Sequence, residues 1–287
     1  SYPILSSHSW IHGCTMPKAF RTAAGITGLC LLVLVMGAAI LGPILAPYDP
    51  QVFHPTVRLQ GPSITHWLGT DQFGRDLLSR LLNGAPSTIF FGLGATVLGV
   101  GAGSVIGVIA GTAGGWVDSV IMRILDGLLA VPELLFTLLI VTFLGGGMGQ
   151  AMLAVAIAFT PGMARIARSS VLSIRTREYV LAAVARGEPS HYIVLREVLP
   201  NAVGPIIVES TIRVAFAIMI GATLGFLGLG AQPPSTEWGL MVAEARHFMF
   251  RNAWTVAVPG VAIAMAAMGF NLFGDALRDS LDPRRSH

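Results

Sequence analysis

Five stretches of this chain carry no charged side chain, and their lengths constrain its fold more than any other feature. Residues 22–48, 81–117, 134–164, 214–236 and 252–274 run for 27, 37, 31, 23 and 23 residues without Asp, Glu, Lys or Arg. A helix needs roughly 20 apolar residues to cross the hydrocarbon core of a bilayer, so each stretch can span a membrane at least once. The third must be divided, because Gly145-Gly146-Gly147 lies inside it with apolar sequence on both sides. Three successive glycines turn far more readily than they continue a helix. Six spans follow, at about 22–46, 86–111, 124–144, 149–166, 204–226 and 254–274. Only 11% of the 287 residues are charged, against about 25% in soluble domains, which excludes a soluble globular class.

Orientation follows from the basic residues. Twelve of the 18 fall on the side of the N terminus and five on the other, with Arg213 inside the fifth span. Cytoplasmic loops carry the excess of Lys and Arg, so both termini are expected in the cytoplasm. The net charge of +3 therefore reflects topology, and no nucleic-acid partner is expected. Residues 1–21 read as a cytoplasmic tail and not as a cleaved signal peptide, since no compact apolar core precedes a small-residue cleavage site. His8 and His12 could share a helix face, but two ligands fall short of a metal site, and Cys14 and Cys30 make no disulfide framework.

Two outer segments separate the spans. The first, 47–85, begins with Pro47 and Pro50 and then turns amphipathic. Phe73, Leu77, Leu78, Leu81 and Leu82 recur at helical spacing, with Asp71, Arg75, Asp76 and Arg80 facing the other way and Thr70 or Asp71 as N-cap. Such a helix is expected in the membrane interface, as an anchor or as an external gate and docking surface. The second, 227–253, is broken by Pro233-Pro234 and continues as a short amphipathic helix with Trp238 at headgroup depth, Gln232 preceding it.

On the inner side lies a polar island, Glu178 to Asn201. Residues 178–186 read as a helix whose Ala182, Ala183 and Ala185 leave a face open to close approach. Gly187 ends it, and Pro189 suits the first turn of a second short helix that stops near Pro200-Asn201. Helices this short need a partner surface to hold their shape. That surface is either the membrane, for an ordinary loop, or another protein.

The spacing Glu178-x-x-x-Ala182-Ala183-x-x-x-Gly187, followed by Leu199-Pro200-Asn201, resembles the EAA loop of ABC importer permeases. LGTDQFGRDLLSRLLNGA at 68–85, GGWVDSVIMRILDGLLAVP at 114–132, GFLGLGAQPPSTEWG at 225–239 and NLFGDALRDSLDPR at 271–284 narrow the resemblance. They are similar to the dipeptide/oligopeptide/nickel permeases, and within them to the member of the permease pair that ends in LDPR. The resemblance implies an all-α, six-span permease of the type I ABC importer architecture in a bacterial inner membrane. Its five-helix core would occupy 86–285, with the coupling loop at about 167–203. It implies a second permease, two ATPase subunits that hold ATP and Mg, and an external substrate-binding protein as partners, with no cofactor on this chain. Glu178, Ala182, Ala183, Gly187, Leu199, Pro200 and Asn201 would be the ATPase-coupling positions. Peptides are the implied substrates, with nickel chelates, glutathione and other small solutes as alternatives. Where many members carry Gly-Ala-Ser this chain has Gly187-Glu188-Pro189, and Glu197 stands in place of a histidine, which alters the charge of the docking surface.

Asp126 and Arg165 lie within two residues of span ends, and three further ionisable residues fall deeper within spans. Glu209 and Arg213 are one helical turn apart and can pair, either inside the bundle or by reaching to the interface. Glu133, after Pro132, is the deeper candidate for a translocation pathway, beside a proline that can kink its helix. Catalytic motifs are missing: the sole lysine, Lys18, is followed by Ala19, so there is no P-loop, and neither HExxH nor GxSxG occurs. An enzyme is not expected. An autonomous carrier driven through Glu133, Glu209 or Asp126 is the competing class, distinguished by transport without an ATPase.

Overall fold

A computed structural model describes residues 22–281; the tail at 1–21, with His8, His12 and Cys14, and most of the LDPR ending lie outside them. The described residues form helices α1 (Ala23–Leu45), α2 (Leu77–Ala113), α3 (Gly115–Leu129), α4 (Glu133–Leu144), α5 (Met148–Arg175), α6 (Glu178–Ala185), α7 (Ser190–Tyr192), α8 (Leu199–Phe226), α9 (Trp238–Ala245) and α10 (Trp254–Leu281). No strand occurs among them. Five helical stretches are long and apolar enough to cross a membrane, and a bent pair brings the number of spans to six at most.

That bent pair corrects the third expected span. Instead of one helix over 124–144, α3 and α4 meet at 90°. Proline lacks an N–H and pushes the residue before it out of the helical region, so Pro132 cannot continue α3. It stands as the extended N-cap of α4. The 12 residues of α4 give it a length of about 18 Å, too short to cross the roughly 30 Å hydrocarbon core alone. The Gly145–Gly147 turn forms between α4 and α5 as expected, with φ of 85° at Gly145 and 143° at Gly147.

Helix α2 is the spine. At 37 residues it extends about 55 Å, well beyond the hydrocarbon, and packs most extensively on α5. Their close approach depends on missing side chains: a Cβ at Gly107 would meet the Ala164 carbonyl oxygen at 2.2 Å. One core joins α1, α2, α8, α9 and α10 around Ile89, Ile218, Trp238 and Phe270. A second joins α2, α4, α5 and α8 around Phe91, Phe159 and Leu224.

The start of α2 overturns the amphipathic interfacial helix. Residues 70–76 form a tight turn closed by a bridge between Thr70 and Asp76. Asp76, neither Thr70 nor Asp71, caps the helix, accepting from the Ser79 N–H at 2.8 Å. Asp71, Arg75, Asp76 and Arg80 are all buried. The expected second inner helix is corrected too. Residues 190–226 run as one stretch, in which a π-helical segment, Ile193–Val198, joins α7 to α8 and the chain passes through Pro200 without stopping. Pro200 falls where the π-helical segment gives way to α8, a point at which the helical hydrogen-bond ladder already changes register and a missing N–H is accommodated.

Candidate functional site

The seven coupling candidates gather at one end of the bundle. Glu178, Ala182 and Ala183 lie on α6; Gly187 follows it; Leu199, Pro200 and Asn201 form the first turn of α8. Glu178 opens α6, where a carboxylate complements the positive end of the helix dipole. Gly187 then reverses the chain at φ +78°, a left-handed conformation that costs a residue with a Cβ roughly 1–2 kcal/mol. One side of the segment is fastened: Val180 and Val198 join Val171, Ile174 and Ala202 in a small core, and Ala183 is fully buried. The other side is bare. Leu181, Val184 and Leu195 are each more than half exposed, with Tyr179 beside them. Arg175 anchors this end, donating to the Gly111 carbonyl of α2 at 2.7 Å. Arg168 grips Asp118 of α3 through two bonds of 2.5 Å.

At the opposite end the charges read as an outer gate or docking surface are folded inward. The Asp71 carboxylate accepts from Arg75 Nε at 2.6 Å and Arg80 Nη1 at 2.7 Å. Glu244, on α9, accepts from both arginines at 2.9 Å. Asp76 pairs with His66 Nδ1 at 2.9 Å and with the Ser79 hydroxyl at 2.8 Å. Trp238 is also buried, its indole donating to the Leu81 carbonyl at 2.9 Å, so it is a core residue and not a headgroup anchor. Gln232 is exposed and bonds the carbonyls of its own loop. Buried among these, Glu237 caps α9 through the N–H groups of Gly239 and Leu240, both at 2.9 Å. Burial pushes its carboxyl above the usual carboxylate range, while those two bonds and the Thr88 hydroxyl pull it the other way.

Between the two ends, the three pathway candidates Glu133, Glu209 and Arg213 come together. Arg213 donates to Glu133 of α4 at 2.8 Å and to Glu209, on its own helix, at 3.3 Å. Its guanidinium lies over the Phe159 ring, 5.0 Å from the centroid. Arg278 of α10 approaches Glu209 at 4.0 Å. Glu209 and Arg213 therefore pair within the bundle instead of reaching separately for the interface. Sequence spacing revealed the i,i+4 pair but not Glu133's place in it. Phe159, Arg278 and Glu244 were missed, because each meets its partner across a long interval of chain, and His66 because a turn, where the spacing predicts helix, brings it to Asp76 ten residues on.

Residues 103–287 match the family described as binding-protein-dependent transport system inner membrane component. Residues 20–62 match the N-terminal transmembrane domain of oligopeptide transport permease C. The dipeptide transport system permease protein DppC of Alkalihalophilus pseudofirmus is 42% identical over 92% of this chain and 87% of its own. The probable D,D-dipeptide transport system permease protein DdpC of Escherichia coli is 42% identical over 90% of this chain and 87% of its own. Among solved structures, an inward-facing form of the MetNI methionine ABC transporter has a chain that superposes with a TM-score of 0.59 at 18% identity, covering 71% of this chain and 97% of that one. A fold shared at that identity, together with the sequence matches, makes this chain a member of the multi-pass inner-membrane components of binding-protein-dependent transport systems.

Proposed function

We propose that this chain is one permease of an ATP-driven importer that moves di- and oligopeptides into the cell, and that α6 and the turn at Gly187 couple it to an ATPase. The observation that carries the reading is the bare apolar side of the segment: Leu181, Val184 and Leu195 project from an end of the bundle that Arg175 fastens to α2. An exposed apolar patch rimmed by charge marks a protein interface. α6 is packed through Val180 against Val198, in the stretch that is continuous with α8, so displacement of the short helix is passed on to a spanning helix, as a coupling mechanism needs. The named substrates of the two relatives above support peptides as the cargo.

On this reading the α6 end is cytoplasmic, and each of two ATPase subunits holds ATP and Mg. A second permease completes the pathway, and an external binding protein delivers the solute at the opposite end. Glu133, Glu209 and Arg213 lie along the pathway. With Asp71, Arg75, Asp76 and Arg80 buried, the docking role at the outer end passes to exposed loop residues around Gln232, while the buried cluster braces them.

The test is uptake of a labelled dipeptide by proteoliposomes holding both permeases, the ATPases and the binding protein. Uptake that requires ATP and all components supports the reading; uptake by this chain alone, without ATP, overturns it in favour of an autonomous carrier.

A further inference from the structure

Where α4, α5 and α8 meet, a cavity of about 180 Å³ is walled by Leu129, Val131, Phe136, Pro132 and Pro161, with Glu133 and Arg213 as its two charged groups. Their 2.8 Å bond lies across it. The arginine is built into place. It lies over Phe159, and a Cβ at position 162 would come within 2.8 Å of its Nη2, so Gly162 is what leaves room for the guanidinium. Nε and Nη1 are engaged, whereas Nη2 has no hydrogen-bond partner among the described residues.

The two acids are not equivalent. Glu209 sits one turn away on the same helix, so its bond survives any movement between helices. Glu133 sits on α4 and is the more exposed, 38% against 19%. Arg278 offsets the second acid from the far side. What remains facing the cavity is one acid and one base on different helices.

Resting on the reading of the chain as a peptide permease, we propose that this cavity is a transit site for zwitterionic solutes, in which Glu133 takes the ammonium end and Arg213 the carboxylate end. Separating the pair with nothing in between leaves Glu133 without its partner and Arg213 with Glu209 alone, which is unfavourable in a partly buried site. A zwitterion supplies a partner to each and adds no net charge. A solute with one end blocked leaves one protein charge unpaired and is rejected. Glu209 is a positioning residue: it holds Arg213 while Glu133 exchanges partners. The apolar walls take side chains of varied shape, so selection falls on the charged ends.

Two measurements on the complete complex test this. First, proteoliposome uptake compares a dipeptide with free termini and its N-acetylated form. Glu133→Gln should lower the ratio of the two by about tenfold, the worth of one charge-assisted hydrogen bond, and an unchanged ratio overturns the proposal. A wild-type complex with no ATP-driven uptake of either peptide defeats the peptide-importer reading instead. The second measurement does not depend on uptake. In a chain with Cys14→Ser, Cys30→Ser and Val131→Cys, the free dipeptide should slow modification of position 131 by a thiol reagent. Adding Arg213→Gln should abolish that protection. Equal modification rates with and without dipeptide overturn the proposal even if transport is intact.

Discussion

The two ends of the bundle handle polar and apolar groups in opposite ways. At the α9 end, six ionisable side chains, Asp71, Arg75, Arg80, Glu244, His66 and Asp76, pair with one another beneath the surface, though Arg80 Nε has no hydrogen-bond partner among the described residues. They tie the 58–76 loop to α2 and α9, and Arg75 is further held against the Phe73 ring, 4.7 Å from its centroid. At the α6 end, five buried residues with Val108 and Ile193 packed against them form the local core, and Leu181, Val184 and Leu195 beyond it are exposed. The ionisable groups of the first end are paired within this chain, although apolar Ile64, Trp67 and Phe250 stand exposed around them. The second is unfinished, and its shape depends on what covers it. A permease pushed by a separate motor needs this asymmetry, with a stiff frame at one end and a handle at the other.

The contrast can be broken at the stiff end first. Arg80→Ala removes one of the two arginines that Asp71 and Glu244 share and leaves both carboxylates on Arg75 alone. Removing one member of a buried pair costs roughly 3–5 kcal/mol. The variant should show the largest loss of thermal stability, or of folded protein in the membrane, while a substitution in α6 leaves the bundle standing.

A smaller structural effect with a large functional one is expected at Gly187→Val. The left-handed turn there disfavours a β-branched residue by roughly 1–2 kcal/mol, confined to a segment outside the main cores. Thermal unfolding of the bundle should barely move. ATP-driven uptake should fall far more than ATP hydrolysis, and equal losses in both would remove the hinge from the coupling mechanism.

The smallest effect sharpens the picture of the stiff end. Burial raises the Glu237 carboxyl, so the folded chain binds that proton more tightly than the unfolded one. The associated stability is fully present below the unfolded value, near 4.5, and is lost as pH rises through the folded value. Glu237→Gln keeps an oxygen to cap α9 and drops the charge. Its melting temperature relative to the wild type should therefore climb as pH is raised from 4.5 upward, and a flat difference would show that the carboxylate stays ionised within the folded chain.

The membrane-crossing segments were legible because absence of charge over 23 residues or more has no other economical explanation in a folded chain. The glycine turn at 145–147 was legible for a similarly local reason. The sequence misled where partners are distant. Asp71, Arg75 and Arg80 look like a solvated helix face until Glu244, 164 residues beyond Arg80, comes to meet them. Periodicity marks a face as polar but does not say whether water or a carboxylate covers it. Glu133 was recognised as deep, yet its partner lies 80 residues along the chain. The continuity of α7 with α8 was hidden by Pro200, whose meaning depends on its falling where the π-helical segment gives way to α8.

The central claim is that a separate protein covers α6 and the turn after it. Hydrogen exchange over residues 178–199 tests it most directly, measured in the isolated permease pair and again in the full complex with its ATPases. Local opening governs exchange in a segment with so little core of its own. The account predicts slowing of about tenfold or more there on assembly, with the amides around Arg80 equally protected in both states. Unchanged exchange over 178–199 would contradict it.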